Sequence, residues 1–172
     1  METAVVSLIC VVLIVMGGMT LSQGFLTSAD NASNALEEIG TRDKDILRTE
    51  LSSHNATLDG TGAILTVNLE NSGQSKLADF GNWDLIVQYY DATSQYHTFW
   101  LPYTSGAASN NEWTVAGIYL NSNPETFEPN IVNPGEVMEI QAKLNPPVGA
   151  NTTNMVIAST PNGIPVTVYF ER

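Results

Sequence analysis

At 172 residues, with 6 basic against 18 acidic side chains and a net charge of -12, the chain holds one ordinary domain plus an appended element. It offers no basic patch that would neutralise a nucleic-acid backbone, and its one cysteine, Cys10, excludes an intrachain disulfide. Only 14% of residues are charged while Asn, Ser and Thr abound, an extracellular style of surface, and a self-repelling acidic chain can self-associate only through strongly apolar regions.

The first predicted element is a long helix. Thr3 to Leu21 reads TAVVSLICVVLIVMGGMTL, without a charge or a proline, and is about the length that crosses a bilayer. Phe25, Ala29, Ala32, Leu36, Ile39, Asp43, Ile46 and Glu50 then step by three or four. Leu47 and Leu51 flank that stripe, and Glu37, Glu38, Arg42, Lys44 and Arg48 lie mostly off it. No proline interrupts residues 1 to 52, so the pattern predicts one rod over residues 1–53, ~75 Å long at 1.5 Å per residue.

A cleaved signal peptide does not fit, because no basic n-region precedes the run and no small-x-small site ends it. An apolar half merging into an amphipathic half suits a helix that packs first in lipid and then against its own copies. Met1, Glu2, Val5, Leu8, Ile9, Val12, Leu13, Met16, Gly17 and Gly18 are the expected assembly surface. The glycines, with Gly24, allow close approach or a bend. Membrane segments keep Lys or Arg on the cytoplasmic side, and none precedes this run. That predicts a removed basic leader, Met1 as the mature first residue, and Glu2 either pairing with a neighbour's α-amine or resting at the membrane edge.

Beyond Ser53 the period changes to two, over the stretch 54–172. Predicted strands carry Leu65, Val67 and Leu69; Leu85, Val87 and Tyr89; Tyr96 to Leu101; Trp113 to Leu120; Met138, Ile140, Ala142 and Leu144; Met155 to Ser159; and Ile164, Val166, Val168 and Phe170. Asn71-Ser72-Gly73, Asn133-Pro134-Gly135 and Pro161-Asn162-Gly163 are turns, and residues 121–133 form the longest loop. Pro165 belongs on an edge or at a strand's first residues. Seven strands without intervening helices predict an antiparallel immunoglobulin-like β-sandwich, so the fold class is α+β.

Catalytic patterns are missing. His54 and His97 lie in unrelated contexts, the first at the end of the helix and the second an exposed strand residue, and there is no HExxH, CxxC, GxSxG or phosphate loop. Asp91 near His97 is the one pairing worth weighing. Asp79, Asp84 and Asp91 offer oxygens to a cation without EF-hand spacing, so neither metal nor cofactor is expected. Trp83, Trp100 and Trp113 are expected in the core, with a sugar-binding platform as the alternative. Three sequons, at Asn31, Asn55 and Asn151, are candidate N-glycosylation sites, the first being least suited because a glycan there would obstruct helix bundling.

METAVVSLICVVLIVMGGM followed by a long helix resembles the class III signal architecture of type IV pilin-like proteins. LTVNLENSGQSKLADFGNWDLIVQYYD, IVNPGEVMEI and STPNGIPVTVYF resemble the β-domain of archaellins and related accessory proteins of the archaellum. That resemblance covers nearly the whole chain. It implies a leader cut by a prepilin-type peptidase, membrane insertion before assembly, helices bundled into a filament core and sandwiches forming the sheath. A cytoplasmic ATP-driven motor would turn the filament. Where type IV pilins carry glutamate at the fifth mature position this sequence has Val5, and the pilin C-terminal disulfide is missing.

Three functions follow as expectations. The first is a self-polymerising subunit of an extracellular, cell-surface filament for swimming motility, not an enzyme. The second is a membrane-anchored, stator-like accessory protein whose sandwich binds the surface layer. The third is a secreted enzyme or sugar-binding domain on a stalk.

Overall fold

The computed structural model describes residues 2–172. One helix, α1, runs Glu2–Arg48. Nine strands follow: β1 (Leu51–Leu58), β2 (Ile64–Asn71), β3 (Asp84–Tyr90), β4 (Tyr96–Leu101), β5 (Glu112–Leu120), β6 (Asn123–Pro124), β7 (Val137–Lys143), β8 (Thr153–Ser159) and β9 (Pro165–Glu171). The chain divides into two units, residues 1–44 and 45–172.

In the first unit every residue from Thr3 to Lys44 is exposed, so nothing within it covers the apolar side chains. Hydroxyls that would be unpaired in an apolar setting are satisfied inside the helix. Ser7 donates to the Thr3 carbonyl at 2.7 Å, Thr20 to that of Met16 at 2.6 Å and Thr27 to that of Gln23 at 3.0 Å. Back-bonding of this kind is what lets Ser and Thr enter lipid or a dry bundle.

The second unit is a sandwich of two antiparallel sheets, ordered β1-β2-β7-β5-β6 and β4-β3-β8-β9. Period-two patterning decides what each strand buries. Leu65, Val67 and Leu69 of β2 face Leu85, Val87 and Tyr89 of β3 in one core. Met138, Ile140 and Ala142 of β7, Val156 and Ala158 of β8, and Val168 and Phe170 of β9 complete it. All seven predicted strands are present, and Pro165 is the first residue of edge strand β9. Gly135 and Gly163 take φ of +83° and +85°, as their turns require. The long connection after β5 holds the two-residue β6, and an isolated bridge between Leu77 and Val132 ties it down.

The structure departs from the expected rod at its end. α1 stops at Arg48, and Leu51 opens β1, whose residues pair with β2 from Leu51 opposite Asn71 to Leu58 opposite Leu65. Leu51 satisfies both the helical stripe and a period of two, so apolar spacing alone cannot find the change. Backbone hydrogen bonds decide it. The Arg48 carbonyl accepts from Gln74 N at 2.7 Å and Ser75 N at 3.2 Å, and Gly73 N donates to the Glu50 carbonyl at 3.1 Å. Those are partners that a continuing helix would have to supply itself. Thr49 is buried, and its hydroxyl accepts from Asn162 Nδ2 at 2.8 Å. Asn71, fully buried, donates to the carbonyls of Ser75 and Val132 and accepts from Gly73 N.

A second polar anchor closes the β3–β4 hairpin. Asp91 Oδ1 accepts from Thr93 N at 2.8 Å, the Thr93 hydroxyl at 2.7 Å and Gln95 N at 3.0 Å, while Oδ2 meets His97 Nε2 at 2.9 Å. An ionised carboxylate only accepts, so His97 carries its proton on Nε2. The bond from His97, followed by those from Thr93 and Gln95, holds the Asp91 carboxyl well below the usual carboxylate range.

Two outcomes are expected. A Cβ at Gly73 would lie 2.5 Å from Glu50 N and 2.6 Å from the Arg48 carbonyl oxygen. Gly73→Ala should therefore destabilise the sandwich by about 1–3 kcal/mol, an overpacking cost read as a lower melting temperature by near-UV circular dichroism. Because the folded Asp91 pKa lies below the ordinary value of 3.8, its stabilisation is present above that pH and disappears as pH falls below it. Asp91→Asn should melt below wild type at neutral pH, and the gap should narrow progressively as pH falls below 3.8. A gap that persists unchanged in acid would show that the side chain acts through shape and not charge.

Candidate functional site

The candidate site is a surface, the apolar face of α1. Val12 is the least exposed of the large apolar residues between Val5 and Met19, and it is still 50% exposed. Leu13 at 64% and Ile14 at 74% point elsewhere around the helix, so the segment is apolar on all sides rather than along one stripe. A helix of that kind exists in lipid or in the interior of an assembly, and this one is long and apolar enough to cross a membrane. Val5, Leu8, Ile9, Val12, Leu13 and Met16 all belong to this surface. A Cβ added at Gly17, Gly18 or Gly24 would meet nothing within 4 Å, leaving their backbone open to a partner's approach. Met1 and the Glu2 side chain lie outside the described residues, and with them the expected amine–carboxylate pair.

The three sequons sit on exposed positions. Asn31 is mid-helix, Asn55 lies on edge strand β1 where its Oδ1 accepts from Asn68 Nδ2 at 2.6 Å, and Asn151 lies in the turn before β8, left-handed at φ +58°.

Several other candidates resolve into structural roles. His54 sits on β1 and not at the end of the helix, where its Nε2 lies 2.7 Å from Glu70 on β2. His97 and Asp91 do come together, but the carboxylate is spent on the turn and the imidazole stacks on Phe99 at 5.5 Å. His97 is half-buried, not exposed as expected of it, because Tyr89 and Phe99 flank its ring. Asp79, Asp84 and Asp91 do not converge. Among the described residues, no group of three or more His, Cys, Asp or Glu side chains is placed to hold a metal. Burial, with the Asp91 charge second, pushes the Tyr89 hydroxyl up to about 12, and it donates to the Pro146 carbonyl at 2.7 Å. It is a locked core phenol.

Trp83 and Trp113 lie in the core as expected, but Trp100 does not: it stands 58% exposed on β4. Its neighbour Leu101 takes the inward position, and alternation sends Trp100 to the other face. Counting outward from Leu101 would have placed it correctly.

No protein-family model and no curated protein sequence matches the chain. Solved structures do. The archaeal flagellum of Methanospirillum hungatei strain JF1 aligns with a TM-score of 0.62 at 12% identity, covering 96% of this chain and 90% of that one. The archaellum periplasmic stator protein FlaG from Sulfolobus acidocaldarius aligns at 0.52 with 24% identity, covering 71% of this chain and 99% of that one. A chain of the FlaF and FlaG stator complex from the same organism gives 0.53 at 24%, with 71% and 89% covered. The fold of this chain is archaellin-like, a long N-terminal helix followed by an antiparallel β-sandwich.

Proposed function

We propose that this chain is a structural subunit of an archaellum-type extracellular filament. In this reading it polymerises by bundling of α1, with the sandwich as the outer domain, and serves swimming motility without enzymatic activity. The observation that carries it is the apolar surface of Val5 to Met19, exposed on every side and satisfied in its own hydroxyls. A filament core of identical helices covers such a surface completely, and the likeness to the archaeal flagellum includes the helix, since it spans 96% of the chain. Partners in this reading are other copies, a prepilin-type peptidase and a membrane-bound assembly and motor machinery. The subunit resides in the membrane before it joins the filament.

A second reading has its own support. The likeness to the stator protein FlaG covers 71% of this chain at twice the identity of the flagellum match. On that reading α1 is a lasting anchor and the sandwich binds the surface layer.

Val12→Asp separates the two. In a bundle this side chain is surrounded by neighbouring copies, and an unpaired carboxylate there costs several kcal/mol per subunit. Insertion into lipid alone suffers less, about 2.5–3.5 kcal/mol on the insertion scale. Cells producing only the variant should hold subunits in the membrane fraction and show no filaments by negative stain, while the sandwich melts as in wild type. Filaments of normal number and length would remove the assembly reading and leave the anchored one.

A further inference from the structure

The outer face of the β4-β3-β8-β9 sheet carries four exposed aromatic side chains, Tyr90, Tyr96, Trp100 and Tyr169, that no other part of that unit covers. Strand register builds it row by row. Trp100, Ile86, Ile157 and Thr167 lie side by side across the four strands, followed by Thr98, Gln88, Met155 and Tyr169, with Tyr96 opposite Tyr90 beyond. The aromatic members are open to solvent: Tyr90 is 42% exposed, Tyr96 50%, Trp100 58% and Tyr169 69%. They are also held in place. Trp100 Nε1 donates to Asp84 Oδ1 at 2.8 Å, the Tyr96 hydroxyl donates to Gln88 Oε1 at 2.8 Å, and the Tyr90 and Tyr96 rings pack at 5.1 Å. A depression of 180 Å³ lies among Gln88, Tyr96, Met155 and Tyr169.

Charge narrows the occupant. The four strands contain no Lys or Arg, and their only acids, Asp84 and Glu171, stand at strand ends. Asp84 is engaged by the Trp100 indole and Glu171 by the Thr153 hydroxyl. An anionic ligand finds nothing to pair with, and a cationic one finds only committed carboxylates. Composition narrows it further. Polar Thr98, Gln88 and Thr167 interrupt the aromatics, so the face is not a continuous lipid-facing patch either. The depression is smaller than the about 300–1,000 Å³ of drug-sized pockets and suits a single ring.

We propose that this face is a binding platform for an uncharged oligosaccharide. Sugar rings present C–H faces that stack on Trp100, Tyr96 and Tyr169, and hydroxyls that hydrogen-bond Gln88, Thr98 and Thr167. Tyr96 and Trp100 are four residues apart on one strand, roughly 13 Å, so the platform accepts a short chain of linked rings. The inference stands on the sandwich alone and holds for a filament subunit and an anchored protein alike.

The test uses the full chain in micelles of a detergent without a sugar headgroup. Trp100 is the exposed tryptophan and the other two are buried, so intrinsic fluorescence reports on the platform. Titration with maltohexaose, cellohexaose, mannohexaose and chitohexaose should give a saturable change with at least one of them, and polygalacturonate should give none. Calorimetry with the responding sugar should show Trp100→Ala weakened by at least about tenfold and Tyr96→Ala by about twofold to tenfold, the range for one stacked aromatic. Both variants should melt like wild type, because neither residue is in the core. Silence from all four neutral sugars would overturn the proposal, as would undiminished binding by Trp100→Ala. Self-association in sedimentation that Trp100→Ala abolishes would overturn it too, by assigning the face to a second copy.

Discussion

This chain carries two large apolar surfaces and has the means to bury only one of them itself. The sandwich closes its own: Leu65, Val67, Leu85, Val87 and Ile140 are wholly inaccessible to water. Burying each such side chain fully contributes about 1.5–3 kcal/mol, which makes the β-unit self-sufficient. The helix leaves its large apolar side chains open from Val5 to Met19. Left in water, that surface would cost more than helix propensity returns, so lipid or other copies must cover it.

The last residues of α1, which belong to the second unit, are tied to it by polar groups. The Arg48 carbonyl, the buried Thr49 hydroxyl and the backbone around Gly73 form a hydrogen-bonded seam with Asn71 and Asn162 beneath it. Each of these groups is directional, and several are buried, so the seam tolerates little displacement.

Much of the fold was legible because period-two patterning is a direct consequence of burying one face of a strand. Met138, Ile140 and Ala142, or Val168 and Phe170, can be placed from spacing alone. The long apolar helix was equally plain, since no soluble core of this size could enclose residues 3–21. What escaped was local. β1 reads LSSHNATL, with only Leu51, Ala56 and Leu58 apolar, because it is an edge strand packed on one side and mostly exposed on the other. Its pairing comes from backbone bonds that no side-chain pattern reports. Asn71 reads as a turn residue but is the last residue of β2, and its role as a buried three-way anchor depends in part on the Val132 carbonyl, sixty-one positions away. Trp100 was misassigned by residue type where strand parity had the answer.

Charge placement ties the two units to a single logic. A net charge of -12 drives copies apart wherever acidic surfaces face each other. Two regions stand out as low in charge. One is the run from Thr3 to Leu21, which contains no ionisable acid or base apart from the Cys10 thiol. The other is the outer face of the four-stranded sheet, where the strands carry acids only at their ends. Contact with a large partner is little opposed by charge at these two places. They differ in kind, the first uniformly apolar and the second aromatic with amides and hydroxyls between. A uniformly apolar surface discriminates little and takes what excludes water, whether lipid or its own copy. Aromatic rings separated by hydrogen-bonding groups discriminate by shape, because each group must be matched once it is desolvated. On the two proposals made above, general association belongs to the helix and selective recognition to the sheet.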